Sequence, residues 1–594
     1  MDFLSIKEIV KNTISYTNKK KRDYIKLFIS IQIFSLCVSM VILKISFNIF
    51  LKISNLDNIN NNNIITLFKS PESILGLILL FTLAVIVVYL EFSLSITVII
   101  TDQKGIRVSI KDIIKLSFKN MKKILGVQLI PLFLYFLLMI PLAGLGLNSL
   151  ITGSISIPDF IIGSLLKSKA GSILYMVAMI LVIYINIRLI FVIPLIIGRN
   201  ITAFQAVKQS MELTKKKSIF LLLSLFILEV LLAIGSILII LLLFGIIIIL
   251  ENTKILYNSI SIGIMLTLIQ IVIFFTTILA KVLLLQGLIY ILNKNNLLDL
   301  EYKSSLLNKN KKLSTLFNIS AVIFIIITVI FNVSQISNPD YYIRTKTIAH
   351  RGYVAKGAEN SITSIKEAAK FKPDYVEIDI MQTKDKEFVV THDSNLKRLT
   401  GKNINVWQHN LRDLTKLTLK QGQFTDKVSS LDEVIVEAKK LGIKLNIEVK
   451  YSGNESKDMI DIFIKKLKQY HVEDEFIVQS LSLPYMEEIN EKAPEIKVGY
   501  IIPIQFGNFG KDNIDFIVIE ESSYKKSLVN EAHKNGKEVY VWTVNKEQNI
   551  RKYLMDNCDG IITDKLELVE QVKKDLKENT KFTDRVVQLL KQLS

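Results

Sequence analysis

Between Ile348 and Asp393 the chain gathers His350, Arg351, Glu359, Glu377, Asp379, His392 and Asp393, and a little further on it adds Glu448 and Lys450. All five histidines, His350, His392, His409, His471 and His533, lie in the second half, so imidazole chemistry, if the protein performs any, belongs there. Glu377 and Asp379 are two residues apart, as are Glu448 and Lys450, and on a strand each pair projects from one face. Three carboxylates meeting at one place repel each other unless a cation lies between them. All-oxygen ligation suits a hard divalent ion such as Ca²⁺ or Mg²⁺. A lone Glu-x-Asp pair is more often a solvated strand edge than a site; its coincidence with two imidazoles and two cations marks a candidate metal-dependent centre.

Such side chains need strand ends to hold them. From Lys346 onward, short apolar strands alternate with amphipathic helices: strands over 347–349, 375–380, 388–391, 444–449, 476–478, 497–502, 516–519, 539–544 and 560–562, and helices over 361–371, 431–441, 457–470 and 525–535. This alternation over some 250 residues predicts an α/β TIM-type (β/α)8 barrel. Nine strands compete for eight places and 381–387 is too short for a helix, so one pair is open to being a hairpin. In such a barrel, catalytic groups sit at the C-terminal strand ends. His350 and Arg351 follow the first strand, Glu377 and Asp379 lie in the second, His392 and Asp393 close the third, and Glu448 and Lys450 close the fourth.

The first half has a different character. The chain of 594 residues is 50% hydrophobic, and nearly all of its long apolar runs fall within 27–334. A spanning helix needs about 20 apolar residues, which gives seven candidates: 27–50, 74–100, 124–147, 173–198, 219–249, 258–292 and 315–334. The net charge of +19 is concentrated in Lys-rich connections between these runs, where it reads as a topology signal; nucleic acid is not implied. Alternating basic and near-neutral connections place the N-terminus in the cytoplasm and everything after Ser334 outside, in a multi-pass plasma-membrane protein. Ser5–Lys11, Ser109–Lys115 and Ala203–Lys208 repeat a short amphipathic pattern expected to form separate interfacial helices, although an Ile- and Lys-rich chain can also produce such echoes by chance. Lys44, Glu91, Arg188, Glu229 and Lys281 fall in or beside apolar runs and are expected to pair between helices or reach an interface; a solute pathway is the alternative. With Cys37 in an apolar run and Cys558 distant from it, no disulfide framework is present.

The second half resembles the glycerophosphodiester phosphodiesterases, phospholipase-C-like TIM barrels. The motifs are His350-Arg351-Gly352, Glu359-Asn360-Ser361, Glu377-Ile378-Asp379, Thr391-His392-Asp393, Glu448-Val449-Lys450, Val541-Trp542-Thr543-Val544-Asn545 and Asp559-Gly560-Ile561-Ile562-Thr563-Asp564. The likeness spans 346–575, with Ser361 standing where Thr is usual and Leu481 where Phe is common. The membrane half is similar in architecture to the membrane domain of some bacterial members. The resemblance implies that Glu377, Asp379 and Glu448 bind the metal, with Glu359 as a further ligand or a support behind the ligands. It implies that His350 and His392 are the general acid and base, that Arg351 and Lys450 stabilise charge on the phosphoryl group, and that the insert 394–426, which includes Trp407, caps the site. Trp542 is either a wall of the substrate pocket or a core residue. His409, His471 and His533 read as surface residues.

The resulting organisation is a basic segment over 1–26, a membrane domain over 27–334, a linker over 335–345, a barrel over 346–575 and a helical tail over 576–594. The expected activity is hydrolysis of glycerophosphodiesters, such as lipid headgroup diesters, to sn-glycerol 3-phosphate and an alcohol, next to membrane lipid. The alternatives are a phospholipase C- or D-like enzyme on intact lipid or polyglycerol-phosphate polymer, or a membrane transport or lipid-handling protein with a sensing barrel.

Overall fold

The computed structural model describes residues 6–56, 58–60, 63–104, 110–121, 123–139, 162, 165–166, 169–199, 201–215, 218–252, 258–298, 311–337, 344–510, 512–556, 558–578, 586–587 and 590. The chain forms two compact units, one of Met1–Asn55 with Leu67–Asn338, the other of Leu56–Thr66 with Pro339–Ser594.

The second unit is built on a closed barrel of eight parallel strands: β1 (Lys346–Ala349), β2 (Tyr375–Gln382), β3 (Leu445–Val449), β4 (Ile477–Ser480), β5 (Lys497–Ile502), β6 (Phe516–Glu520), β7 (Glu538–Trp542) and β8 (Gly560–Thr563). Each pairs with the next, and β8 closes on β1 through Ile561↔Thr347. The ninth sequence candidate resolves into a hairpin arm. Phe388–Val390 runs antiparallel to the end of β2, with Ile380↔Val390 in register, so it is no barrel stave. His392 therefore does not close a third parallel strand, as the sequence pattern suggested; β2 overshoots the barrel and the returning arm carries the imidazole back to the mouth.

Two apolar layers hold the barrel. Its outer layer packs strand residues such as Val376, Ile447 and Val498 against helix residues such as Ile365, Val434 and Phe463. Its interior is filled by Ile348, Ile477, Ile501, Phe516, Val518, Tyr540 and Ile562. Gly499, opposite Phe516 in register, leaves room for that ring: a Cβ there would stand 2.1 Å from it. The helix Leu431–Leu441 starts at a Ser430–Glu433 capping box and stops at Gly442, φ 65°. The insert has its own small core of Leu396, Leu399, Val406, Leu414 and Leu419 and a hairpin of Thr418–Gln421 with Phe424–Lys427.

In the first unit, the stretches 74–100, 173–198, 219–249 and 258–292 correspond to four helices long and apolar enough to cross a membrane: Pro71–Gln103, Lys169–Arg199, Phe220–Glu251 and Ser259–Lys294. The second of these breaks between Leu189 and Val192, where Pro194 lacks an N–H and its ring excludes the carbonyl of Ile190. The third and seventh stretches correspond to shorter apolar helices, Gly126–Leu138 and Asn318–Ser334; 140–147 lies outside the described residues. The first stretch lies inside Ile6–Ile53, one unbroken helix of 48 residues. The amphipathic Ser5–Lys11 segment is thus no separate helix, because no proline, glycine or cap interrupts the run that follows. The second and third copies do stand alone, as Ile110–Met121 and Ala203–Thr214. Exposed Leu222, Phe226, Leu238, Leu241 and Leu242 give the Phe220–Glu251 helix an apolar outer face suited to hydrocarbon. Glu91 and Lys281 form a buried ion pair, and Lys281 lies 4.8 Å from the Phe92 ring centroid. Arg188 donates to Tyr184 Oη at 3.0 Å and to the carbonyl of Met211. Of the five residues expected to pair or reach an interface, Glu91 and Lys281 thus pair between helices, while Arg188 bonds a tyrosine of its own helix and a carbonyl of the Ala203–Thr214 helix.

Candidate active site

At the mouth end of β1 the chain turns sharply. Arg351 (φ 56°) and Gly352 (φ 80°) both occupy the left-handed region, and a Cβ on Gly352 would lie 2.4 Å from Ser364 Oγ, so only glycine fits there. The turn aims the Arg351 N–H at Glu377 Oε2, 2.7 Å away. Glu377 and Asp379 project from β2 into the same buried space as Glu448 on β3, which pairs with Asp379 in register. One oxygen from each carboxylate lies within 4.8 Å of the others.

Two cations are set into this cluster. Lys450 Nζ lies 2.9 Å from Asp379 Oδ1 and 2.5 Å from Glu448 Oε1, while Arg351 Nε lies 3.3 Å from Asp379 Oδ2. Burial and the charges of Asp379 and Glu448 push Glu377 well above the ordinary carboxylate range. Burial acts on Asp379 in the same sense, but Lys450, Arg351, His392 and a hydrogen bond from Asn360 outweigh it and hold Asp379 well below that range. Asn360, itself at φ 58°, donates through Nδ2 to Asp379 Oδ2 at 2.8 Å and accepts the Asp379 N–H on Oδ1 at 3.0 Å. Asp379 Oδ1 is buried and makes no aligned hydrogen bond. A buried all-oxygen triad with one such oxygen matches the needs of a hard divalent cation.

Both imidazoles face the cleft above the triad, and each is gripped at Nδ1 by a carboxylate. His350 Nδ1 lies 2.8 Å from Asp564 Oδ1, and His392 Nδ1 lies 2.8 Å from Asp393 Oδ1. Asp564 is fixed in turn by Asn545, whose Nδ2 donates to Oδ2 at 2.7 Å. Burial would raise the Asp564 carboxyl, but His350 and the Asn545 bond bring it down to about 2. The returning arm is pinned where the Thr391 N–H donates to the Asp379 carbonyl at 2.9 Å. Burial lowers His392 below the usual imidazole value, against the pull of Asp393 and Asp379, which keeps it neutral near pH 7. The cleft has about 110 Å³ of free volume and is lined by His350, Arg351, His392, Glu448, Lys450 and Trp542 over an apolar floor of Ile501, Val518 and Ile562. Trp542 combines both of its expected roles, facing the cleft while packing on the barrel interior.

Glu359 stands apart from the carboxylate triad. Arg351 donates to its Oε1 at 3.1 Å, Arg398 to Oε1 at 2.5 Å and Oε2 at 2.9 Å, and Gln421 to Oε2 at 3.1 Å. Its place is therefore that of a support behind Arg351, bridged to the insert. Arg398 also donates through Nε to Asp393 Oδ2 at 2.6 Å, so one insert residue braces both Glu359 and the carboxylate that holds His392. The sequence reading gave Arg398, Gln421, Asn360, Asn545 and Asp564 no role. Asp564 closes β8 at the mouth and could have been found by the strand-end rule; Arg398 and Gln421 sit in an irregular insert without any periodic signal. His409, His471 and His533 lie outside the cleft; His471 ends a helix at φ 54° and His533 lies 2.6 Å from Asp559.

Comparison with known proteins converges on one family. A family profile described as the membrane domain of glycerophosphoryl diester phosphodiesterase matches residues 10–332, more than half of the chain. A second, the glycerophosphoryl diester phosphodiesterase family, matches 350–568. A glycerophosphodiester phosphodiesterase of Caldanaerobacter subterraneus is 29% identical over 251 residues, 39% of this chain and 99% of the relative. A human lysophospholipase D is 24% identical over 269 residues, covering 37% of this chain and 83% of that protein. Among solved structures, a phosphodiesterase of Oleispira antarctica in complex with the product sn-glycerol-3-phosphate aligns over 39% of this chain and 96% of its own, at 23% identity and a TM-score of 0.36.

Proposed function

The chain belongs to the glycerophosphoryl diester phosphodiesterase family in its membrane-domain form and is a phosphoric diester hydrolase; from this we propose that it cleaves glycerophosphodiesters to sn-glycerol 3-phosphate and an alcohol, with a divalent metal and two histidines. The observation that carries the reading is the pair of carboxylate-held imidazoles facing one cleft above a buried acidic triad.

Asp564 and Asp393 hold His350 and His392 at Nδ1, which leaves each Nε2 for proton transfer at the cleft. One Nε2 takes the proton of the attacking oxygen as its bond to phosphorus forms; the other gives a proton to the departing alkoxide as the second P–O bond breaks. Arg351 and Lys450, both fully charged at neutral pH, are placed to neutralise the phosphoryl oxygens. Glu377, Asp379 and Glu448 would hold Ca²⁺ or Mg²⁺, which supplies Lewis-acid stabilisation of the phosphoryl charge. The apolar floor and Trp542 exclude water and pack the carbon skeleton of the substrate.

The N-terminus lies in the cytoplasm and the barrel outside, in a multi-pass plasma-membrane protein; the asymmetry of Lys and Arg between connections supports this orientation. The test of function is release of glycerol 3-phosphate from glycerophosphocholine by the full-length protein, with and without EDTA. Wild type should be active and chelator-sensitive, while His350→Ala and His392→Ala should each lose roughly 10²–10⁴-fold in kcat. Activity that survives both substitutions defeats the mechanism. The human relative named lysophospholipase D favours a second reading, in which a lysophospholipid is cleaved at the membrane; choline release from lysophosphatidylcholine in the same assay separates the two.

A further inference from the structure

The connection between the first two apolar helices does more than link them. Asn58–Asn60 pairs antiparallel with Gln505–Gly507, with Ile59 opposite Phe506, and Leu56–Thr66 belongs to the barrel unit. Gln505–Gly507 follows directly on Ile502 at the end of β5, the same end at which β1 delivers His350 and β3 delivers Lys450. The site of docking is thus the mouth-side rim. Both partners are ordered for it. Asn63 donates through Nδ2 to the Asn58 carbonyl at 2.9 Å and accepts the Asn60 N–H on Oδ1 at 2.9 Å, which closes the turn. Across the pair, the Gln505 N–H donates to Ser523 Oγ at 3.1 Å and Gln505 Nε2 to the Asn508 carbonyl at 2.7 Å, tying the rim to the exit of β6. Asn58 and Ile59 are buried, whereas Phe506 is 52% exposed beside them.

We infer that Leu56–Thr66 is a rim element of the phosphodiesterase unit that docks as an added strand and sets substrate affinity at the mouth, and that it fixes the barrel on the same side of the membrane as this connection. The pairing requires both segments to share one aqueous compartment, so the chain crosses the membrane an even number of times between Thr66 and Pro339. Among the described residues, four long apolar helices and two shorter ones follow Thr66, and six crossings satisfy that parity. In β-strand addition of this kind, main-chain pairing supplies the hold while alternate side chains shape the edge. The effect on affinity rests on the phosphodiesterase reading; the docking and the parity do not.

The experiment uses the full-length protein in membrane vesicles, in a Cys37→Ser background. Ile59→Cys with Phe506→Cys should form a disulfide on mild oxidation, and Ile59→Cys with Glu488→Cys should not. Single cysteines from Ile65→Cys and Glu488→Cys should react with an impermeant maleimide from the same membrane face. Ile59→Asp, which places a charge in the buried pair, should raise KM for glycerophosphocholine several-fold with a smaller change in kcat, whereas a merely structural role would lower the apparent kcat through loss of folded protein and leave KM unchanged. No disulfide above the control, or labelling from opposite faces, overturns the docking; an unchanged KM in Ile59→Asp overturns the role at the mouth. If the Ile59→Cys, Phe506→Cys protein cross-links while the wild-type protein cleaves no diester, the phosphodiesterase reading is defeated and the docking stands.

Discussion

Arg398 joins parts of the site that the chain keeps far apart: Glu359 behind Arg351, and Asp393 behind His392. Its guanidinium bonds Asp393 through Nε and both oxygens of Glu359 through its two terminal nitrogens; a lysine offers one nitrogen and cannot reproduce that fork. Arg398→Ala and Arg398→Lys should both lower kcat, by about 10–100-fold as for other supports of ligating and catalytic groups. The pH–rate profile of Arg398→Ala should also move, since Asp393 is then less firmly held against His392. A simple loss of folded protein would leave the profile in place, which makes the profile the decisive readout. At this scale the sequence was informative about residue types at strand ends and uninformative about their supports. His350 and His392 stand out by type and position, but the bond from Asp564 to His350 joins residues 214 apart, and nothing local announces it.

Among elements, β5 and β6 show how a single missing side chain permits the barrel interior. Phe516 fills space that Gly499 vacates, and its ring centroid lies 4.8 Å from that of Tyr540. Gly499→Ala forces a methyl into the Phe516 ring and should cost about 1–3 kcal/mol, as overpacking of a tight core does; the thermal midpoint of the solubilised protein measures it, and an unchanged midpoint would contradict the packing described. The returning arm Phe388–Val390 is the element the sequence pattern left open. Its apolar run is indistinguishable from a barrel stave by periodicity, because a short buried strand reads alike in parallel and antiparallel pairings. Only the gap at 381–387, too short for a crossover helix, hinted at the hairpin that brings His392 to Asp379.

Across the whole molecule, paired charge gives each unit a separate test. In the membrane unit, Glu91→Gln strands the Lys281 ammonium and should destabilise by about 3–5 kcal/mol, whereas Glu91→Leu with Lys281→Met should recover most of that loss; detergent-solubilised melting separates the two outcomes. In the barrel unit, Glu538 binds Lys346 and Lys497 at 2.8 and 3.1 Å. Burial would raise its carboxyl, but hydrogen bonds from Lys346, Tyr540 and Lys497 bring it down to about 2. A carboxyl lowered on folding stabilises at pH values above its ordinary value and loses that contribution as pH falls toward the folded value. The Tm gap between wild type and Glu538→Gln should therefore be largest at neutral pH and close between about pH 4.5 and pH 2. A gap that widened in acid would refute the assignment. What the sequence by itself determined is what short-range periodicity and composition can carry: an apolar helical half, an alternating β/α half, and the residues at strand ends with the chemistry to act. Tertiary structure alone decided which carboxylate holds which imidazole, that Glu359 faces two guanidiniums, and that Asn58–Asn60 belongs to the barrel unit, because contacts closed over long loops leave no period in the chain that makes them.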